Sequence, residues 1–363
     1  MDYMEQALSL ARLALGQVSP NPAVGAVVVK DGAVVGQGYT QPPGSAHAEV
    51  VALRQAGEKA GGGIMYVTLE PCCHYGRTPP CSQAIIAAGI AEVHLAMLDP
   101  NPQVCGRGRG ELEKEGIKVY VGEHEEEAEE INEAYTKFIT TGTPWVTAKF
   151  AVSLDGKIAT KGGDSKWISG EEARKYVHNL RYVSDAVMAG VNTVLSDDPR
   201  LTSRCGGKGG TARKQPLRVI VDGKGHTPLT ARLFDEPGET LVALGRSVTP
   251  QEKSAFARVG AELIEMPSAG ERVDLAGLLR ALAGRGITSV LVEGGEALLG
   301  SLFDCGLVDK VVAFIAPIII GGKQAKTAVG GSGVDKVVDA FRLRRVRVER
   351  CGEDVMVSGY IKE

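Results

Sequence analysis

The chain has 363 residues, of which 44% are hydrophobic and 23% are charged, a composition typical of a globular protein long enough for two domains. Its formal net charge of -3 argues against nucleic acid as a partner, because no strong positive field would attract a phosphate backbone. The longest apolar stretch, residues 311–320, contains a proline and is too short to cross a membrane. The composition therefore favours a small-molecule substrate.

The N-terminus predicts a short amphipathic helix and no secretion signal, because Asp2 and Glu5 stand where a signal peptide needs basic residues. The seven cysteines are an odd number, and three of them lie within residues 72–81. This pattern predicts reduced thiols in the cytoplasm, some of which bind a metal, and argues against a secreted disulfide framework. The sequence leaves open whether the chain forms a homo-oligomer.

The first part of the chain predicts an α/β layer sandwich. Two apolar runs flank Asp31-Gly32, a dipeptide that favours the tight turn of a β-hairpin. Helical and strand patterns then alternate, which is typical of a largely parallel sheet. Helices are predicted at 48–61 and 81–89, strands at 63–70 and 91–98, and a helix followed by a strand at 110–122. The acidic run at 123–138 predicts a solvated helix face and not a surface for a basic partner.

A domain boundary is predicted near Gly142, because Gly142 and Pro144 interrupt a helix just before a new strand. The domains are then residues 1–143 and 144–363. Strands and helices alternate again beyond the boundary. The predicted segments are 145–153, 170–184, 186–191, 217–222, 240–245, 289–295, 296–306 and 310–320. The glycine-rich stretch at 205–214 predicts a flexible surface loop.

The most specific chemical signal combines "HAE" at 47–49 with "PCCHYGRTPPC" at 71–81. Zinc in a hydrolytic site usually has three protein ligands and one position open for water, with thiolate and imidazole as preferred donors. His47 at a helix entrance, Cys72, and Cys81 at the next helix start would supply that set. Glu49 would take a proton from the water and pass it to the leaving group.

The pattern H-x-E followed by P-C…C is the signature of zinc-dependent nucleobase deaminases. Their usual P-C-x-x-C spacing is shorter than the nine residues from Cys72 to Cys81. Cys73 is a rival ligand, and the adjacent cysteines with His74 would alternatively form a structural zinc site. A structural site would have no use for Glu49 and would normally close with a fourth protein ligand.

Two features of the second half suggest ligands that carry phosphate. Arg181 and Arg204 would clamp a phosphate with bidentate hydrogen bonds, although an isolated arginine is more often a surface residue. A strand ends at Glu293, and two glycines lead directly into a helix whose free N–H groups would bind a cofactor pyrophosphate. The alternative is a glycine-rich turn without a ligand. No G-x-G-x-x-G follows a first strand, so a Rossmann dinucleotide fold is not expected.

The fragments "HAE", "TLEPCCHYGRTPPC" and "DPNP" resemble the deaminase domain of the bifunctional riboflavin-biosynthesis deaminase/reductase family. In that family H-x-G-R-T-P-P stands between the two zinc cysteines, which accounts for the long spacing, and the position of Cys73 varies. The resemblance implies a cytidine-deaminase-like α/β/α sandwich with one Zn²⁺. It also implies substrate contacts from Asn21, His74, Asp99 and Asn101.

The second half resembles the reductase domain of the same family, through "KFAVSLDGKIAT", residues 163–204 and "SVLVEGGEALLGSLF". This implies a dihydrofolate-reductase-like α/β domain that uses NADPH. The implied contacts to the ribose-phosphate substrate are Ser165, Arg181, Leu201, Arg204 and Glu293. The implied contacts to NADPH are Ala151, Trp167, Thr193, Asp197, Gly295, Glu296, Ala297, Leu298, Leu299, Gly300 and Ser301. Lys149 and Asp155 also lie in family motifs, without separable roles.

The resemblance, which covers nearly the whole chain, implies two reactions. The first is hydrolytic deamination of 2,5-diamino-6-(5-phosphoribosylamino)pyrimidin-4-one, with Glu49 moving protons. The second is NADPH-dependent reduction of the ribosyl group of 5-amino-6-(5-phosphoribosylamino)uracil to ribityl. A nucleic-acid-editing deaminase shares the first motifs, but it would need a basic groove and would leave residues 144–363 unexplained. A structural or cofactor-binding zinc protein without turnover is the other alternative.

Overall fold

The computed structural model describes residues 2–75, 79–205, 214–245, 248–269 and 272–361. Nearly all of the loop predicted at 205–214 lies outside these residues. The chain divides into two units, Met1–Thr143 and Pro144–Glu363. Within the described residues, the helices are all too short or too polar to span a bilayer.

A five-stranded sheet forms the centre of the first unit. Its strands are β1 (Gly25–Lys30), β2 (Ala33–Tyr39), β3 (Ile64–Val67), β4 (Glu92–Leu95) and β5 (Lys118–Val121). The order in space is β2-β1-β3-β4-β5, with β1 antiparallel to both neighbours and the last three strands parallel. Asp31 and Gly32 have φ angles of 50° and 76°, which gives the predicted tight turn between β1 and β2.

Helices pack against this sheet and enclose the core of the first unit. They are α1 (Tyr3–Ala14), α2 (Ala48–Ala56), α3 (Cys81–Ala87), α4 (Arg107–Lys114), α5 (Glu125–Ile131) and α6 (Glu133–Thr141), with a 3₁₀ turn at Gly57–Ala60. The acidic segment is two helices, not one, because Asn132 turns inward between α5 and α6. Its buried side chain accepts a hydrogen bond from the Ala23 N–H at 2.9 Å and donates to the Ala23 carbonyl at 3.2 Å.

A nine-stranded sheet forms the centre of the second unit. Its strands are β6 (Trp145–Ser153), β7 (Ala186–Gly190), β8 (Leu217–Asp222), β9 (Thr240–Gly245), β10 (Glu262–Met266), β13 (Ser289–Val292), β14 (Lys310–Ala316), β15 (Arg344–Cys351) and β16 (Asp354–Tyr360). A separate hairpin joins β11 (Ser268–Ala269) to β12 (Arg272–Val273). The order is β10-β9-β8-β7-β13-β6-β14-β16-β15, and β16 runs in the direction opposite to the other eight strands.

Apolar clusters cover both faces of the larger sheet, one around Leu278 and Leu299 and the other around Ile220 and Phe256. The helices are α7 (Glu171–Val183), α8 (Val191–Asp197), α9 (Pro250–Arg258), α10 (Leu275–Gly284) and α11 (Glu296–Asp304), with 3₁₀ turns at Arg232–Phe234 and Val337–Asp339. The parallel strands β6, β7 and β13 are adjacent, so their carboxyl ends share one edge of the sheet. Open α/β sheets bind ligands at such an edge.

Candidate active sites

His47, Cys72 and Cys81 form a cluster in the first unit. Their ligand atoms all lie within 4.8 Å of one another. His47 Nδ1 is 3.6 Å from Cys72 Sγ and 3.2 Å from Cys81 Sγ. Zinc bonds of about 2.1 Å to nitrogen and about 2.3 Å to sulfur, in tetrahedral geometry, separate the two atoms by about 3.6 Å. The donor types and their spacing therefore fit zinc.

Local backbone structure brings these three side chains together. His47 is the residue before α2, in an extended conformation with φ -75° and ψ 164°. Cys72 follows β3, and Cys81 is the first residue of α3, after Pro80. The free N–H of Cys81 donates to Cys72 Sγ at 3.4 Å. A helix start thus supplies a donor that favours thiolate at the neighbouring ligand.

The two thiols of the cluster have pKa values shifted in opposite directions. The hydrogen bond from Cys81, and then that from His47, lowers the pKa of Cys72 despite burial. The same hydrogen bond with Cys72, burial and Glu49 raise the pKa of Cys81. The pKa of Cys73 is raised as well, first by burial and then by nearby carboxylates. Within the described residues, Cys73 does not belong to the metal-binding cluster.

Glu49 lies in the first turn of α2 and is only 4% exposed. Burial, followed by Cys72, raises its pKa to about 7. A carboxyl group with a pKa near neutrality can both accept and return a proton. Glu49, His47 and Cys72 line a pocket of about 380 Å³. The four predicted substrate contacts, Asn21, His74, Asp99 and Asn101, line the same pocket.

Sequence reasoning missed Glu70 and Tyr135, which also line this pocket. Glu70 directly precedes the cysteine motif. Its position as a carboxylate after a buried strand could have indicated a site residue from the sequence. Tyr135 lies on α6 and gave no signal, because only the tertiary fold brings that helix to the pocket. Gly108 has a packing role beside this pocket, because a Cβ at Gly108 would lie 2.1 Å from the carbonyl oxygen of Pro71.

The second unit contains a cavity of about 750 Å³ that holds all five predicted substrate contacts. These are Ser165, Arg181, Leu201, Arg204 and Glu293. They come from α7, from the end of β13 and from loops, and converge at the carboxyl edge of β6, β7 and β13. Sequence reasoning missed His178, which lines the cavity with its Nδ1 at 3.2 Å from the Thr202 carbonyl.

Arg181 is paired with Glu293 in this cavity wall. Its guanidinium contacts both carboxylate oxygens of Glu293, with Nη2 at 2.9 Å from Oε2, and Nη1 donates to the Thr202 carbonyl at 3.0 Å. Burial would raise the pKa of Glu293, but Arg181 and Lys149 lower it to about 2. Arg181 is therefore not a free phosphate ligand. Arg204 is exposed at the same cavity and is the more available cation.

A second cavity of about 590 Å³ adjoins the start of α11. Most of the predicted cofactor contacts line it: Thr193, Asp197, Gly295, Glu296, Ala297, Leu298 and Ser301. The Gly295 N–H donates to Thr193 Oγ1 at 3.1 Å. A Cβ at Gly294 would lie 3.1 Å from the Leu298 side chain. The glycine turn, the helix N-terminus and the cavity fit a nucleotide cofactor.

Four predicted cofactor contacts do not line the second cavity. Ala151 and Trp167 line the larger cavity instead. Leu299 is fully buried in the core, and a Cβ at Gly300 would lie 2.3 Å from the backbone of Gly330. The helical period places these two residues on the buried face of α11. A side chain at either position therefore points into the core and not into the second cavity.

The two cavities share Ile158, Ser165, Thr193, Asp197 and Gly295. At this junction the Ser165 hydroxyl donates to Asp197 Oδ1 at 2.6 Å. Asp155 has a structural role, since it accepts from the Ile320 N–H at 3.0 Å and the Gly321 N–H at 2.7 Å. Lys149 lies 3.4 Å from Glu293 Oε2 and so belongs to the ion-pair network.

Comparison with known proteins identifies the family. The cytidine and deoxycytidylate deaminase zinc-binding region matches residues 1–97, and the RibD C-terminal domain matches residues 144–357, more than half of the chain. The chain belongs to the RibD family. The riboflavin biosynthesis protein RibD of Aquifex aeolicus is 44% identical over 357 residues, which cover 98% of this chain and 97% of that protein.

Solved RibD structures are similar to this chain over nearly its whole length. The structure of Acinetobacter baumannii RibD, form 1, is 38% identical with a TM-score of 0.87, and covers 99% of this chain and 97% of that chain. A Thermotoga maritima diaminohydroxyphosphoribosylaminopyrimidine deaminase/5-amino-6-(5-phosphoribosylamino)uracil reductase is 35% identical, with a TM-score of 0.85 and the same coverages. The predicted family and the predicted pair of α/β folds are confirmed.

Proposed function

We propose that the chain is a bifunctional enzyme of riboflavin biosynthesis, with a deaminase in residues 1–143 and a reductase in residues 144–363. The first unit hydrolyses the 2-amino group of 2,5-diamino-6-(5-phosphoribosylamino)pyrimidin-4-one. The second reduces 5-amino-6-(5-phosphoribosylamino)uracil with NADPH. The name of the Thermotoga maritima relative contains both activities. The observation that carries the proposal is the cluster of His47, Cys72 and Cys81, two of which line one pocket with the buried Glu49.

In the first unit, the proposed zinc ligands are His47, Cys72 and Cys81. Zinc held by them would activate a water molecule for attack on the ring carbon. Glu49 accepts the proton of that water and delivers it to the departing nitrogen, so that a C–N bond is replaced by C=O and ammonia leaves. Its burial keeps bulk water from competing for the proton. A structural zinc site would not need this carboxyl group.

The remaining pocket residues orient the substrate. Asn21, His74, Asp99 and Asn101 line the wall beside Glu49 and offer both hydrogen-bond donors and acceptors. A pyrimidine that carries amino groups and a ribose phosphate has complementary groups. Correct orientation places the ring carbon near the catalytic carboxyl group, and this positioning raises the rate of the chemical step.

In the second unit, NADPH would supply the hydride. The turn at Gly295 and the start of α11 would hold its phosphates, and the residues that both cavities share would lie between cofactor and substrate. Arg204 binds the substrate phosphate from the exposed side of the larger cavity. Glu293, fixed by Arg181 and Lys149, presents a carboxylate to the sugar hydroxyls.

The proposed partners are small molecules, and we place the enzyme in the cytoplasm because its cysteines in the described residues are free thiols. A net charge of -3 supports the absence of a nucleic-acid partner. Assembly into a homo-oligomer is compatible with the proposal and not required by it.

Product analysis of the zinc-loaded protein tests the proposed function. The diaminopyrimidinone phosphate should release ammonia without NADPH, and added NADPH should then be oxidised. The uracil phosphate should consume NADPH with no ammonia released. Failure to release ammonia would contradict the deaminase assignment, and failure to oxidise NADPH with the uracil substrate would contradict the reductase assignment.

A further inference from the structure

A buried network surrounds Asp99 in the wall of the deaminase pocket. Asp99 is only 5% exposed and follows β4. Its Oδ1 atom accepts hydrogen bonds from the Tyr135 hydroxyl at 2.9 Å and from the Asn101 N–H at 2.9 Å. Within the described residues, no donor contacts Oδ2. One oxygen is thus fixed by the protein, and the other is available to a ligand.

Glu70 holds the backbone of the same loop. It is 3% exposed, and its Oε2 atom accepts from the Asp99 N–H at 3.2 Å and the Gly106 N–H at 2.9 Å. Its Oε1 atom accepts from the Arg109 N–H at 3.0 Å. Glu70 follows β3, which pairs in parallel with β4. Its carboxylate therefore ties the Asp99 loop to the segment that carries Cys72.

Tyr135 is fixed just as firmly. It is 9% exposed and lies one turn after Asn132, whose buried amide is anchored to both backbone groups of Ala23. The anchor sets the position of α6 at the pocket. The Tyr135 hydroxyl therefore reaches Asp99 from a helix that is anchored at its start.

We propose that Glu70 and Tyr135 are positioning residues that hold Asp99 with its Oδ2 atom ready to accept a hydrogen bond from an N–H group of the pyrimidine. This inference rests on the proposed deaminase function and deepens it. Asp99 lines the pocket, so its Oδ2 atom can accept one further hydrogen bond, and an amino-substituted ring supplies the donor. Two donors on Oδ1 prevent the carboxylate from rotating out of this orientation.

Two conservative variants test the proposal. Tyr135→Phe removes one hydroxyl and keeps the ring, and Glu70→Gln replaces one acceptor oxygen with an NH₂ group that cannot accept a backbone N–H. Each variant should retain zinc and reduce the uracil substrate at the parental rate. The KM for ammonia release should rise roughly tenfold, as for the loss of a hydrogen bond to a charged group, with a smaller change in kcat.

Glu113→Gln is the matched control, since Glu113 lies on α4, is 43% exposed and pairs with Arg109 Nε at 2.8 Å. Its KM should equal the parental value. An unchanged KM in both Tyr135→Phe and Glu70→Gln would overturn the inference. Loss of zinc with a matching fall in kcat would also overturn it, because the residues would then only hold the fold. Absence of ammonia release from the parental enzyme would instead overturn the proposed function.

Discussion

Replacement of Arg181 by alanine tests how the second unit holds a buried carboxylate in its larger cavity. The side chains of Arg181 and Glu293 are 12% and 9% exposed. Arg181 contacts both carboxylate oxygens, and Lys149 lies 3.4 Å from Oε2. Arg181→Ala therefore does more than remove a substrate contact. It leaves Glu293 buried with a single cation.

The structure sets the size of the effect. Breaking a buried ion pair by removing one partner costs about 3–5 kcal/mol, because an uncompensated charge stays buried. Lys149 keeps part of the attraction, so the free energy of unfolding should fall by about 3 kcal/mol. Arg204→Ala is the control: Arg204 is exposed, and within the described residues it forms no salt bridge. Its loss should cost less than about 0.5 kcal/mol.

Tryptophan fluorescence during urea unfolding measures this change. Both tryptophans, Trp145 and Trp167, lie in the second unit, so the signal reports on that unit. With a slope of about 2 kcal/mol per molar urea, the Arg181→Ala midpoint should fall by about 1–2 M. Arg181→Ala combined with Glu293→Gln should recover part of the loss, since the buried carboxylate charge is removed and only the Lys149 ammonium remains. An Arg181→Ala curve that overlays the parental curve would refute the reasoning.

Two further predictions concern the metal ligands and the response to acid. Cys73→Ser should retain zinc in metal analysis while Cys72→Ser loses it, and equal loss would contradict the ligand set. The pKa of Glu293 is lowered from 4.5 to about 2, so its ionisation stabilises the second unit above about pH 4.5 and ceases to do so as the pH falls towards 2. That contribution is roughly 3 kcal/mol. Glu293→Gln should remove this part of the acid dependence, and an unchanged acid-unfolding profile would count against it.

The metal cluster could be predicted from sequence because short motifs and local backbone structure determine it. His47 stands at the entrance of α2 and Cys81 at the start of α3, as the spacing indicated. The contact of Tyr135 with Asp99 could not be predicted. It depends on Asn132, which joins α6 to a segment 109 residues earlier in the chain.

In the second unit, too, local motifs could be predicted from the sequence and contacts between distant residues could not. Its motifs predicted residues that line both cavities, but not the pairing of Arg181 with Glu293 across 112 residues. The predicted run of consecutive cofactor contacts along α11 also did not take the helical period into account. That period places the Leu299 side chain in the core. Strand β15 escaped prediction because it is an exposed edge strand rich in arginine, without the alternation of a half-buried strand.

The central claim is that one chain carries two independent active sites, and Glu49→Gln tests it most directly. Glutamine keeps the size of glutamate but cannot accept and return a proton. The variant should bind zinc, because Glu49 is not a proposed ligand, and its ammonia release should fall by at least about 10²–10⁴-fold. Supplied with the uracil phosphate, it should oxidise NADPH at the parental rate. Ammonia release at the parental rate by the zinc-loaded variant, or loss of NADPH oxidation in a folded variant, would contradict the claim.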